Sequence, residues 1–246
     1  MTKARQEGGA LAGRAAVVTG GQRGIGRAIA DALSGAGASV AVLDLAVDAE
    51  GRHPGSGELR IAADIADEDA VERAFDKVRA TFGPVDILVN NAGINVIRPA
   101  SEFSLQDWNR VISVNLTGQF LCARRAGRDM IAAGKGGRIV NIASVLGHLG
   151  PSMHTAVAYS AAKAGLIGMT RALAVEWATL GILVNAVCPG MTETELTRGR
   201  LASKEYTDRI LARVPTPWRM LPWPSSATSW SASLVRAAAA SRPCST

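Results

Sequence analysis

Six short apolar runs recur along the chain, at residues 15–19, 39–43, 60–63, 86–89, 138–142 and 182–187. Each is too short for a helix of ordinary length, and each gives way to Gly, Asp, Asn, Ser or Pro. Runs of this kind read as strands buried on both faces of a parallel sheet. The stretches between them carry apolar residues at helical spacing. Ile29, Ala30 and Leu33 mark one helix that ends at Gly35, and Val71, Phe75 and Val78 mark a second. Asp67 stands at the N-cap of the second helix, and Gly83-Pro84 closes it. Residues 105–132 read as a long helix interrupted near residues 115–118, and another helix runs from Ala158 to about Leu180. Strands alternating with helices predict an α/β chain with a single doubly wound parallel sheet, right-handed crossovers and helices on both faces.

The pattern holds through residue 214 and then stops. Residues 215–246 contain no acid, three of the five tryptophans (Trp218, Trp223, Trp230), five prolines and seven serines. Proline spacing of this kind breaks helices and strands alike. The expected organisation is therefore one domain over 1–214 and an atypical tail over 215–246, either frameshifted or disordered. No seventh strand is expected from the tail.

Composition narrows the function classes. The formal net charge of +6 lies wholly in the last fifth of the chain, where residues 197–246 carry eight Lys/Arg against two acids. The first 196 residues are balanced, so no basic face is available for nucleic acid. No apolar run reaches the roughly 18 residues of a membrane span. The three cysteines (Cys122, Cys188, Cys244) have neither metal nor disulfide spacing, which fits a reduced cytoplasmic setting without a metal site.

The candidate chemistry lies at the strand ends. The first strand runs into Gly20-Gly21-Gln22-Arg23-Gly24-Ile25-Gly26 and then a helix. Glycines there permit a tight turn and bring a helix N-terminus, with its free N–H groups, up to a pyrophosphate. Asp44 ends the second strand, where a carboxylate accepts hydrogen bonds from both adenosine ribose hydroxyls and repels a 2′-phosphate. This predicts NAD(H) over NADP(H), although Arg23 could assist a 2′-phosphate. Tyr159 and Lys163 are four residues apart, hence on one helix face. An ammonium beside the phenol is expected to draw its pKa down from about 10 toward the working range. Gly20, Asp44, Asp64, Asn91, Ser144 and Pro189 all fall at strand carboxyl ends, where such sheets bind ligands.

Over residues 11–214 the chain resembles the classical short-chain dehydrogenases/reductases, among them the 3-oxoacyl-[acyl-carrier-protein] reductases. The matching residues are Thr19-Gly20-x-x-x-Gly24-Ile25-Gly26, Asn90-Asn91-Ala92-Gly93, Asn115, Ser144, Tyr159-x-x-x-Lys163 and Pro189-Gly190-x-x-x-Thr194. The resemblance implies a Rossmann fold and an NAD(P)(H)-dependent oxidoreductase interconverting a secondary alcohol and a ketone. The substrate would be an alcohol, polyol, sugar or acyl thioester. It further implies Tyr159 as general acid/base, Lys163 as its electrostatic partner and ribose ligand, Ser144 as oxyanion donor, and Asn115 as holder of a proton-relay water. Cofactor contacts would come from Gly20, Gln22, Arg23, Gly24, Ile25 and Gly26, then Asp44 and Leu45, Asp64 and Ile65, and Asn91, Ala92 and Gly93. Tyr159, Lys163, Pro189, Gly190, Thr192 and Thr194 would complete the set.

Two features depart from the family pattern. Ser144 and Tyr159 are fifteen residues apart where thirteen is common, so the intervening loop, with His148 and His154, is expected to line the substrate pocket. The family's seventh strand and last helix, which in relatives support a homodimer or homotetramer, have no counterpart in the tail. The alternative reading is therefore a dinucleotide-binding protein with little turnover.

Overall fold

The computed structural model describes residues 9–53, 55–149 and 155–190, with Thr192, Ala202, Lys204 and Asp208. Thr194, His154 and the tail 215–246 lie outside the described residues. In chain order the elements are β1 (Ala15–Thr19), α1 (Gly24–Gly35), β2 (Ser39–Asp44), β3 (Gly51–Arg52), β4 (Leu59–Ala62), α2 (Glu68–Phe82), β5 (Ile87–Asn90) and α3 (Leu105–Ile112). A π-helical turn (Ser113–Thr117) leads to α4 (Gly118–Ala133), β6 (Gly137–Ile142), α5 (Val157–Trp177) and β7 (Ile182–Val187).

The strands form one sheet in the order β3-β4-β2-β1-β5-β6-β7. All pairs are parallel except β3–β4. The six strands expected from the apolar runs are present. The seventh, β3, is a two-residue antiparallel edge piece, too short and too polar to leave a hydrophobic signature. Gly51 turns the chain there at φ 104°, and its neighbour Arg52 pairs with Leu59. Among the described residues β7 pairs only with β6.

Alternation along each strand splits the core in two. Val17, Leu43, Leu88 and Ile139 face α2, α4 and α5, where Phe75 and Trp177 join them. Val18, Val42, Val89 and Val140 face α1 through Ile29 and Leu33. Burial of a side chain such as Phe75 contributes roughly 1.5–3 kcal/mol. α4 and α5 approach closely because Gly127 leaves room for the Trp177 ring, which a β-carbon would meet at 2.7 Å.

α2 begins as expected, with the Asp67 carboxylate accepting from the backbone N–H groups of Asp69 and Ala70. It is clasped to α4 by Arg125. That guanidinium pairs with Glu72 and Asp76 at 2.9 Å and with Asp129 at 2.6 Å, although Arg125 and Asp129 are both buried. No helix among the described residues is long and apolar enough to cross a membrane.

Candidate active site

The first wall of the site is the turn between β1 and α1. Gly20 and Gly24 adopt φ of 64° and 57°, conformations that L side chains rarely take. A β-carbon on Gly26 would lie 2.1 Å from the Gly20 carbonyl oxygen, so helix and turn touch backbone to backbone. Arg23, the α1 N-cap, supplies no capping hydrogen bond from its side chain, and the first turn carries no acid. The leading N–H groups of Gly24, Ile25 and Gly26 are thus left for an outside anion. This cradle fits the pyrophosphate of a dinucleotide.

Asp44 closes over the turn from the tip of β2. Its Oδ2 accepts from the Gln22 N–H at 3.1 Å. Arg23 is exposed and makes no ion pair among the described residues, and Leu45 is exposed on the outer side. Asp64 follows β4 and accepts from the Ala66 N–H at 2.9 Å. Ile65, expected beside Asp64 at the adenine edge, can offer only its backbone there. Its side chain is buried in the core beneath α4, and the Ile65 carbonyl lies against Gly118, so only its backbone is at the sheet edge. A buried β-branched residue gains more from the core than from a half-wet adenine contact.

The second wall is Asn91-Ala92-Gly93 after β5. Asn91 Nδ2 donates to the carbonyls of Thr19 (3.0 Å) and Gly20 (2.9 Å), which binds this wall to the glycine turn. The Ala92 peptide is gripped at both ends. Its N–H donates to Thr19 Oγ1 at 3.1 Å, and its carbonyl accepts from Gln119 Nε2 at 2.8 Å. Gln119 is fully buried at the start of α4 and was not anticipated from the sequence. An amide standing within an otherwise helical apolar pattern was the available signal.

Asn115 stands in the π-helical turn, where the interruption of the long helix was expected. Its Nδ2 donates to the carbonyls of Ile94 (2.8 Å) and Val111 (2.9 Å), which satisfies the acceptor left by the widened turn. Its Oδ1 is buried without a protein partner. A β-carbon on Gly93 would lie 2.6 Å from that oxygen and 3.8 Å from Lys163 Nζ, so Asn115 and Lys163 converge beneath Gly93.

Ser144, Tyr159 and Lys163 meet above β6. Ser144 heads a single helical turn (Val145–Gly147), and its Oγ accepts from the Leu146 N–H at 3.1 Å. Lys163 is almost fully buried, and its Nζ donates to the Ile142 carbonyl at 2.6 Å. Burial brings its pKa down to about 8, with the Cys188 sulfur beside it acting in the opposite direction. Tyr159 overturns an expectation. Burial raises its phenol above the ordinary value, and the Ser144 hydroxyl only partly offsets this. The Lys163 ammonium stands over the ring, 5.6 Å from its centroid, and does not offset the burial. In this protein-only site desolvation of the phenolate wins over attraction.

The far wall follows β7. The Pro189 carbonyl accepts from the Val145 N–H at 3.1 Å, joining this loop to the Ser144 turn. Gly190 follows, and Thr192 is buried with its Oγ1 3.5 Å from the Gly190 carbonyl. Gly20, Asp44, Asp64, Asn91, Ser144 and Pro189 each stand at or just after the carboxyl end of a strand.

Comparison with known proteins gives a consistent result. A family model described as short chain dehydrogenase matches residues 14–205. The chain is 43% identical over 194 residues to D-threitol dehydrogenase of Mycolicibacterium smegmatis, covering 76% of this chain and 73% of that protein. It is 40% identical over 206 residues to 3-oxoacyl-[acyl-carrier-protein] reductase of Escherichia coli, covering 82% of each. Among solved structures, a putative NAD(P)-dependent gluconate 5-dehydrogenase from Beutenbergia cavernae, with bound NADP at low occupancy, superimposes with a TM-score of 0.79. It is 38% identical, with 93% of this chain and 90% of that one covered.

Proposed function

The chain belongs to the short-chain dehydrogenase family, and from that membership we propose that it interconverts a secondary alcohol and a ketone with NAD(H) as the preferred cofactor. As a family member it is an NAD(P)-dependent oxidoreductase acting on CH–OH and C=O groups. The observation that carries the finer reading is the convergence of Ser144, Tyr159 and Lys163 on the strand edge that holds the glycine cradle.

Bound nicotinamide supplies or accepts the hydride; the protein supplies position and proton handling. Tyr159 is the acid/base: its phenol protonates the carbonyl oxygen in reduction and takes the proton back in oxidation. Ser144 donates a hydrogen bond to the same oxygen as charge develops on it. Lys163, with a pKa near 8, moves a proton readily at neutral pH, and the buried Asn115 Oδ1, without a protein partner, would hold the water that relays protons to Lys163. Gly20, Gln22, Gly24, Ile25 and Gly26 hold the pyrophosphate. Asp44 reads the adenosine ribose and disfavours a 2′-phosphate, while Arg23 points to solvent. Asp64, the Ile65 backbone, Asn91, Ala92 and Gly93 line the adenosine side, and Pro189, Gly190 and Thr192 complete the nicotinamide side, with Thr194 expected to join them in binding the cofactor. The relatives' names support two substrate classes, small polyols and 3-oxoacyl thioesters.

The test is reduction of a panel of ketones, keto sugars and acetoacetyl thioesters, with NADH and NADPH, by the wild type and Tyr159→Phe. Turnover that favours NADH and vanishes in Tyr159→Phe is expected. A lower KM for NADPH overturns the cofactor preference. NADH binding without turnover on any member of the panel would instead support a binding protein.

A further inference from the structure

Lys163 is enclosed by two glycines from different loops. Gly93 faces its ammonium, and Gly147 lies on its peptide. A β-carbon on Gly147 would come within 2.9 Å of the Lys163 carbonyl carbon, 3.0 Å of the carbonyl oxygen and 2.9 Å of Ile167 Cδ1. Backbone atoms inside a helix cannot yield to such a contact. Gly147 does not adopt a positive φ, so its conformation is open to any residue and only the lack of space excludes a side chain.

The same residue closes the turn that Ser144 opens. The Gly147 N–H donates to the Ser144 carbonyl at 2.9 Å, and the Leu146 N–H donates to Ser144 Oγ. Val145 is tied to Pro189 across the cleft. Ser144 therefore rides on a short, hydrogen-bonded turn that rests on the α5 backbone at Gly147. Lifting residue 147 tilts the Ser144 hydroxyl relative to Tyr159, one helical turn before Lys163.

We propose that Gly147 is a positioning residue: its lack of a side chain seats the Ser144 turn on the Lys163 peptide and thereby sets where the Ser144 hydroxyl stands relative to the Tyr159 phenol. The inference rests on the reading of Tyr159 as the acid/base, but it can be tested without a known substrate. Tyr206 is the chain's other tyrosine. In a Tyr206→Phe background the ultraviolet titration of phenolate reports Tyr159 alone. The Ser144 hydroxyl lowers the Tyr159 pKa, while Lys163 titrates in the same cleft beside Cys188, and both residues are present in every variant compared.

Gly147→Ala is expected to raise the Tyr159 midpoint as much as Ser144→Ala does, by about half a pH unit or more. The double variant is expected to go no further, because both act through the Ser144 hydroxyl. On any ketone that the wild type reduces, kcat should fall at least about tenfold while the KM for NADH stays within about twofold. A wild-type midpoint in Gly147→Ala, or additive shifts in the double variant, overturns the proposal. Should Gly147→Ala fail to fold, Ile167→Phe crowds the same turn from α5. A raised midpoint there supports the proposal, and an unchanged one overturns it. Loss of activity in Tyr159→Phe is read separately, so failure of the acid/base reading and failure of this one remain distinct.

Discussion

Lys163 should destabilise the free protein that depends on it. Its ammonium is buried, and its pKa stands near 8 against 10.5 for an exposed lysine. Below pH 8 the native lysine is charged despite burial, and the fold carries the full penalty. Between 8 and 10.5 the native lysine binds fewer protons than the unfolded one, so stability rises with pH across that window. The gap corresponds to roughly 3 kcal/mol, at about 1.4 kcal/mol per pH unit. Lys163→Met removes the charge and fills a similar volume. It also leaves the Ile142 carbonyl without its donor, which costs about 1 kcal/mol. The variant should therefore be more stable than wild type by roughly 2 kcal/mol at pH 7. Urea unfolding followed by circular dichroism at pH 7, 8.5 and 9.5 measures it. The advantage should shrink as pH rises and reverse near pH 10, where the remaining charge penalty falls below the cost of the lost hydrogen bond. A variant less stable than wild type at pH 7, or an advantage independent of pH, refutes the reasoning.

Three further outcomes are expected. Tyr159→Phe should lower kcat by about 10²–10⁴, the range for loss of a general acid, with NADH affinity by fluorescence titration nearly unchanged. Asp44→Ala should move the NADPH/NADH ratio of kcat/KM toward NADPH by at least about tenfold, since a carboxylate within several ångströms of a phosphate costs kilocalories in a partly buried site; an unmoved ratio counts against Asp44 as the selector. Arg125→Met leaves the buried Asp129 carboxylate, among the described residues, with only Arg79 at 3.5 Å, so about 3–5 kcal/mol of stability should be lost. Arg125→Met/Asp129→Leu should recover part of that loss in urea melts, and a double variant as unstable as the single refutes the clasp.

Much of this protein was decided by local pattern. The six apolar runs became the six parallel strands because strands buried on both faces must be continuously apolar. The interruption near Asn115 became a π-turn because an asparagine can satisfy the carbonyl that a widened turn releases. Asp67 capped its helix, and the glycines of the β1–α1 turn took the backbone shapes that only glycine accepts easily. Such features need only a residue and its near neighbours. The tertiary structure alone decided what depends on the environment of a group. β3 exists through pairing with β4 and left no trace in hydropathy. Ile65 went to the core because α4 crosses there. Gln119 grips Ala92 across 27 positions of chain. The Tyr159–Lys163 spacing was legible, yet the direction of the phenol shift was not. Spacing along a helix sets how far apart two side chains are, but the cost of a charge depends on how much water the rest of the fold removes from around it.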